Sequence, residues 1–283
     1  MSIIVKNLSY SYNGGKTFAV NDVTTTINEN EFVAIVGHTG SGKSTFIQNL
    51  NALITPTSGS VTVDEFTITS KGKIKNIKNL RKKIGTVFQF PEYQLFEETV
   101  EKDILFGPKN FNFEKEQLEG LASKVLEIVG LDDSFLSKSP FELSGGEKRR
   151  VAIAGILAFD PDVLIVDEPT AGLDPISAIK MMDLFKKLND MGKTIILVTH
   201  NMDHVLKYAS RVLVFNDATL KYDGTPLKLF ADVNLVKRLE IELPSVIELK
   251  YKLASKYKDI LKYDIKSIED FVNAYKEVIS VWH

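Results

Sequence analysis

Between residues 31 and 53 the sequence passes from a short apolar run, Glu31-Phe-Val-Ala-Ile-Val36, through Gly37-His-Thr-Gly-Ser-Gly-Lys-Ser-Thr45. It then enters Phe46-Ile-Gln-Asn-Leu-Asn-Ala-Leu53, whose helical character ends before Pro56. A short, continuously apolar run is the pattern of a strand buried on both faces. The loop after it fits G-x4-G-K-[ST], in which glycines let backbone N–H groups converge on an anion and the N-terminus of the next helix adds a favourable dipole. In that pattern Lys43 reaches the β- and γ-phosphates and the Ser44 hydroxyl serves Mg²⁺, with Gly37, His38, Thr39, Gly40, Ser41, Gly42 and Thr45 completing the cradle. The strand–loop–helix context predicts that the chain binds a nucleoside triphosphate.

The rest of the chain fits an α/β frame around that loop. Ile3 to Ser11 and Thr17 to Ile27 read as strands joined at Asn13-Gly14-Gly15, and further short strands are expected at Ser60 to Ile68 and Ile84 to Gln89. From about 91 to 159 the character is helical, with Leu118, Leu121, Ala122, Val125, Leu126, Ile128 and Val129 at helical spacings and Gly130 as a stop. Apolar strands return at Val163–Val166, Thr194–Val198 and Val212–Phe215 with helices between them. Such alternation predicts a mostly parallel sheet with crossover helices, an antiparallel β part, and a helical lobe inserted into it. After Thr225-Pro226 the pattern is helical with a break at Pro244, so the expected division is 1–225 and a small helical region at 226–283.

Composition narrows the functional classes. A chain of 283 residues has a prior of about two domains. At 44% hydrophobic and 25% charged it has globular values, which exclude a disordered or collagenous chain. Lys plus Arg at 35 against Asp plus Glu at 37 leaves a net charge of -2, so no overall basic field argues for nucleic acid. The absence of cysteine excludes disulfides, thiolate metal sites and cysteine nucleophiles. The longest apolar run, Val151 to Phe159, falls far short of the ~20 residues of a spanning helix. The start Met1-Ser-Ile-Ile-Val-Lys lacks the pattern of a secretory leader. The expectation is a cytoplasmic chain that meets a membrane only through another protein.

Four polar residues end apolar strands, where α/β proteins hold their ligands. Asp167 and Glu168 close Val163–Val166, and in a phosphate-loop protein the first would hold Mg²⁺ and the second polarise an attacking water. His200 ends Thr194-Ile-Ile-Leu-Val-Thr-His and points toward the same edge, within reach of a γ-phosphate or its water. Gln89, after Ile84-Gly-Thr-Val-Phe88, is a candidate for sensing Mg²⁺ and water. A second anion-type helix start lies at Leu143-Ser-Gly-Gly-Glu147, before Lys148-Arg149-Arg150. Taken alone, that segment reads equally as an ordinary N-cap with a glycine turn.

In this order the motifs resemble those of ABC transporter ATPase subunits over residues 1 to 225. Gly37–Thr45 is similar to Walker A, Gln89 to the Q-loop, Leu143–Glu147 to the LSGGQ signature, Val163–Asp167 to Walker B, Ala171-Gly-Leu-Asp174 to the D-loop and His200 to the H-loop. The resemblance implies ATP and Mg²⁺ as ligands, Glu168 as catalytic glutamate, Tyr12 beside the adenine, and Ser144, Gly145, Gly146 and Asp174 at a nucleotide shared with a second ATPase. Metal contacts would come from Ser44, Gln89 and Asp167. Glu147 departs from the usual signature glutamine. Phe88-Gln-Phe-Pro-Glu-Tyr-Gln-Leu-Phe-Glu-Glu-Thr-Val100, Phe106-Gly-Pro-Lys-Asn110 and the C-terminal extension resemble energy-coupling factor (ECF) importer ATPases for vitamins and related micronutrients. Gly37-His-Thr-Gly is similar to the second of the two ATPase subunits of such systems.

That resemblance implies a head-to-tail ATPase dimer, either a heterodimer with a second ATPase subunit or a homodimer, a transmembrane coupling subunit docked near the Q-loop, a separate membrane substrate-binding subunit, and peripheral placement at the cytoplasmic face of the membrane. Phe90, Tyr93, Leu95 and Phe96 either form that docking groove or pack as a satellite core. In the last segment Ile268, Phe271, Val272, Tyr275, Val278, Ile279 and Trp282 make an apolar stripe, which packs either on the chain itself or on a partner ATPase. The competing class is a non-transport ABC ATPase acting on nucleic acid or the ribosome, against which stand the missing coiled-coil insertion and second cassette. A small-molecule kinase or GTPase has no use for Leu143–Glu147.

Overall fold

The computed structural model describes residues 1–71 and 76–280. β1 (Ile3–Tyr10) and β2 (Val20–Ile27) flank the glycine turn, and β3 (Phe32–Val36) leads through the loop into α1 (Lys43–Leu50). β4 (Ser58–Val63), β5 (Phe66–Thr69), α2 (Ile77–Lys83) and β6 (Ile84–Val87) follow. The helical stretch holds α3 (Val100–Asn110), α4 (Lys115–Leu118), α5 (Leu121–Ile128) and α6 (Gly145–Leu157). Then come β7 (Val163–Asp167), α7 (Pro175–Asp190), β8 (Thr194–Val198), α8 (Met202–Tyr208), β9 (Arg211–Asn216) and β10 (Thr219–Gly224). The chain continues through α9 (Pro226–Ala231), α10 (Val233–Arg238), α11 (Ser245–Ala254) and α12 (Ile268–Ser280).

Two sheets result, a four-stranded one in the order β2-β1-β4-β5 and a six-stranded one in the order β10-β9-β3-β8-β7-β6. The smaller sheet is antiparallel throughout; in the larger, β9, β3, β8, β7 and β6 are parallel and only β10 runs against its neighbour. Residues of the parallel strands alternate between faces, as the pleat requires. Val33, Ile35, Val163 and Ile165 pack with Phe46 and Leu50 of α1 and with Val5 and Val61 of the small sheet. Leu164, Val166 and Leu197 face a core with Ile104, Val125, Ile153 and Phe185 from α3, α5, α6 and α7. Ala34, Val36, Val212 and Val214 share a third core with Leu229, Phe230, Ile247, Ile260 and Val278 from the C-terminal region. Each layer leaves the strands buried on both sides, which is why they read as unbroken apolar runs.

Several boundaries move for local reasons. β2 begins at Val20 rather than Thr17, because Thr17 is held in the turn by two hydrogen bonds with the Asn13 side chain. The helical run at 118–129 divides at Gly120, whose φ of 69° breaks the ladder between α4 and α5. α1 already includes Lys43, Ser44 and Thr45. In α12, Ala274 and Val278 are buried and Phe271 packs against the third core, whereas Ile268 and Val272 stay exposed. Trp282 lies outside the described residues. No helix among the described residues is long and apolar enough to cross a membrane.

Candidate functional site

The loop between β3 and α1 is shaped by two glycines that no other residue can replace. A Cβ on Gly37, at φ 147°, would stand 2.1 Å from the Phe215 carbonyl oxygen, and one on Gly42, at φ 106°, 2.3 Å from that of Ala19. Both backbone crossings therefore require a bare Cα. The loop wraps Lys43, whose Nζ donates to the carbonyls of Gly37 (2.6 Å) and His38 (2.9 Å). His38 Nδ1 lies 2.8 Å from the Thr39 carbonyl, and Ser41 N donates to His38 O at 3.2 Å. Ser41 is fully buried and its Oγ has no hydrogen-bond partner. Thr39, Gly40 and Ser44 are exposed and Thr45 is buried. The Tyr12 hydroxyl is 3.1 Å from Thr45 Oγ1, which ties an exposed aromatic ring to the first turn of α1.

Register brings the acids to the same edge. Asp167 pairs with Val198 across β7 and β8, so Glu168, Thr199 and His200 come together one step beyond. His200 Nδ1 is 2.8 Å from Glu168 Oε1, and Thr199 Oγ1 donates to Glu168 Oε2 at 3.4 Å. Glu168 holds φ at 46°, a left-handed conformation that costs a non-glycine residue on the order of 1–3 kcal/mol. Its amide is anchored to Val198 O at 2.9 Å. Burial pushes the Asp167 carboxyl above its ordinary range, the neighbouring Glu168 adds to this, and Lys43 opposes it. Burial also pulls the Lys43 ammonium below its usual value, against the attraction of Glu168 and Asp167. Gln89 is exposed just past β6 and makes no side-chain hydrogen bond to Asp167, Glu168 or Lys43.

The second glycine segment starts α6 and stands apart from the first. Ser144 is its N-cap, and Gly145 and Gly146 occupy the first turn, where backbone amides lack intrahelical acceptors. These glycines line a cavity of about 380 Å³ with Phe90, Glu92, Gly172 and Asp174, none of which belongs to the phosphate-type loop. Asp174 caps α7, its Oδ1 accepting from Ile176 N and Ser177 N at 3.0 Å each. A neighbouring cavity of about 470 Å³ joins Glu168 and His200 to Gly172 and Leu173. No hydrogen bond joins Ser144 to the loop at Lys43 among the described residues.

Sequence reasoning missed Arg149. Its side chain is 3% exposed and pairs with Glu92 through Nε (3.0 Å to Oε2) and Nη2 (2.7 Å to Oε1), while Nη1 donates to Pro169 O and Ala171 O. One guanidinium thus joins α6, the segment after Gln89 and the turn after Glu168. Burial pushes the Glu92 carboxyl up, but hydrogen bonds from Arg149 outweigh it and hold the group below its ordinary range. The only sequence signal was an arginine on the apolar face of a helix. The aromatic loop divides as well: Leu95 packs on the core, Phe90 lies beside Arg149, and Tyr93 and Phe96 are exposed.

The glycine cradle and the orphan Ser41 hydroxyl suit a phosphate chain, and Lys43 would supply its counter-charge. No cluster of three or more His, Asp or Glu residues able to hold a metal exists among the described residues. A divalent cation would therefore share phosphate oxygens with Ser44 and Asp167 rather than sit in an all-protein cage, which is how Mg²⁺ is usually held.

Fold and site define a phosphate-loop protein of the α/β class with a second, glycine-containing helix start at Ser144. The model of the ABC transporter family matches residues 20–171, more than half of the chain. The chain belongs to the ABC transporter family. It is 46% identical over 281 residues to the energy-coupling factor transporter ATP-binding protein EcfA2 of Staphylococcus aureus (strain USA300), covering 98% of both chains. With the EcfA2 protein of Enterococcus faecalis it shares 49% identity over 260 residues, 90% of each chain. Among solved structures it resembles CbiO1 of Clostridium perfringens, part of the ABC transporter complex CbiONQ, with a TM-score of 0.75 and 35% identity over 88% of this chain and 98% of that one. A dimeric ATP-binding cassette bound to ADP and Pi is 31% identical, with a TM-score of 0.68 over 79% of this chain and 98% of its own.

Proposed function

We propose that the chain is an ATP-hydrolysing subunit that energises an ECF-type importer of vitamins or related micronutrients. The observation that carries this reading is the 46% identity, over 98% of both chains, to an energy-coupling factor transporter ATP-binding protein; in addition, the cavity beside Gly145 and Gly146 at the start of α6 is lined by no residue of the Gly37–Thr45 loop before α1. Two such chains placed head to tail would bring each loop at Lys43 against the partner's signature, so that ATP joins the halves and its hydrolysis releases them.

Within one half-site, Gly37 to Thr45 hold the phosphates by backbone amides, Lys43 offsets their charge, and Tyr12 lies beside the adenine. Ser44, Asp167 and Gln89 would hold Mg²⁺, which supplies charge neutralisation at the phosphates. Glu168 aligns the attacking water and accepts its proton. His200, hydrogen-bonded to Glu168 at 2.8 Å, keeps that carboxylate aimed and reaches the γ-phosphate. Ser144, Gly145, Gly146 and Asp174 act across the interface on nucleotide bound by the partner.

The chain would work as one member of an ATPase pair, bound at the cytoplasmic face of the membrane through a coupling subunit near Gln89, with a separate membrane protein binding the nutrient. The cassette proper is 1–225, with its lobe at about 91–159, and 226–283 is an appended helical region. Affinity isolation of the tagged full chain from membranes of its own cells in mild detergent tests this. A second ATPase and integral membrane subunits should co-purify with Mg²⁺-dependent ATP hydrolysis. Recovery of ribosomes or nucleic acid in their place would overturn it.

A further inference from the structure

Glu147 is the third helical residue of α6, and its carboxylate turns back over the start of the helix. Glu147 Oε2 accepts from Ser144 N at 2.8 Å and from Ser144 Oγ at 2.7 Å, while Glu147 N donates to Ser144 Oγ at 3.4 Å. This is a reciprocal capping box, which satisfies backbone donors that the helix leaves open. It has a second effect here. A hydroxyl carries one proton, and that of Ser144 is directed at Glu147. The carboxylate also sets a negative charge on the helix end whose open amides, at Gly145 and Gly146, otherwise favour anions. Hydrogen bonds from the Ser144 side chain and backbone hold the Glu147 carboxyl below its ordinary range, with smaller help from Arg150 and Lys138, so it is ionised at neutral pH.

We propose that Glu147 is a positioning residue that weakens closure of the half-site facing this chain's signature, by holding the Ser144 hydroxyl and repelling the incoming phosphate. The inference rests on the head-to-tail reading above. To meet a phosphoanion, Ser144 must give up its bond to Glu147 and two negative groups must approach within one helix turn. A neutral amide of the same shape keeps the backbone cap through its carbonyl oxygen and removes the charge. Glu147 thereby makes the half-site respond to ATP at higher concentration than the bare geometry of α6 would give.

The test uses the full chain in its assembly with the partner subunits, titrated with Mg-ATP. Glu147→Gln should lower the KM for ATP by about three- to tenfold, as expected for removing one nearby like charge at a partly exposed site. The kcat should change by less than about twofold and the melting temperature should stay put, as the cap is retained. Glu147→Ala should share the fall in KM while melting earlier, since it loses the cap. A purely structural role for Glu147 predicts instead an unchanged KM in Glu147→Gln and a raised one in Glu147→Ala, and either result would overturn the proposal. Ser144→Arg, run beside them, separates the two layers. If it abolishes turnover while Glu147→Gln changes nothing, the role of Glu147 fails and the shared site stands. If it turns over normally, the shared site fails and this inference with it.

Discussion

Asp167 and Lys43 illustrate the cost of assembling a phosphate site in a half-buried corner. The Asp167 carboxyl is pushed up by burial and by Glu168, so its ionised form is penalised in the folded chain. That penalty is present at neutral pH and is relieved as pH falls through the raised folded value toward the unfolded one. Asp167→Asn should therefore melt at higher temperature than the parent at pH 7, with the difference shrinking on acidification, while Mg²⁺-dependent hydrolysis is lost. A lower melting temperature at pH 7 would show that the attraction of Lys43 outweighs burial. Glu168 is separable from binding, because its contacts are to His200 and Thr199 rather than to the glycine loop. Glu168→Gln should keep ATP affinity and lose hydrolysis by about 10²–10⁴-fold, the usual range for a positioned general base. Equilibrium nucleotide binding and single-turnover hydrolysis read the two quantities apart, and near-normal turnover would exclude the assigned role. Lys43→Ala should instead weaken binding itself.

At the scale of elements, the Arg149–Glu92 pair links α6 to the segment after Gln89 and to the turn carrying Glu168. Removing one partner of a buried, hydrogen-bonded pair leaves the other uncompensated, typically at about 3–5 kcal/mol. Arg149→Ala should lower the unfolding free energy read from chemical denaturation by that order, and Glu92→Gln by less, since an amide still accepts from the guanidinium. The Glu92 carboxyl is held below its ordinary range, so the stability it contributes is complete above that range and is lost as pH falls through the folded value. Glu92→Gln should flatten that acid limb of the stability profile; an unchanged limb would assign it to other carboxylates. This pair also marks the limit of sequence reading. The loop Gly37–Thr45 and the strand ends at Asp167, Glu168 and His200 were legible because each is written in consecutive residues of distinctive type. Ser144 and Glu147 carry the S-x-x-E spacing of a capping box, so the N-cap reading of that segment was open in the sequence, but nothing local to it shows that the Ser144 hydroxyl is directed at Glu147. Arg149 and Glu92 are 57 residues apart, and nothing local to either announces the other. The C-terminal stripe was legible as amphipathic, but which residues face the chain depends on the third core, whose strands come from elsewhere in the sequence.

For the whole molecule, the division of α12 separates folding from assembly. Ala274 and Val278 are buried with Ile265 and Ile260 in the core shared with Val36 and Val214, so this face is committed to the chain's own sheet. Deleting residues from 265 onward would strip Ile265 and Val278 from that core, at about 1.5–3 kcal/mol for each large side chain, and confound any test of association. The exposed face is a cleaner probe. Ile268 is 54% and Val272 39% exposed, one turn apart on the same helix. If this face is the part of the stripe that packs on a partner ATPase and holds the two together between cycles, it lowers the entropic cost of re-forming the dimer each time. The double substitution Ile268→Glu/Val272→Glu should then leave the melting temperature nearly unchanged, because neither side chain belongs to the core. It should weaken nucleotide-free association with the partner ATPase by at least about tenfold, through loss of apolar burial and two added charges. Sedimentation of the full-length pair without nucleotide measures this directly. Association at the parental strength would exclude the retention role and leave α12 as a structural cover of the sheet alone.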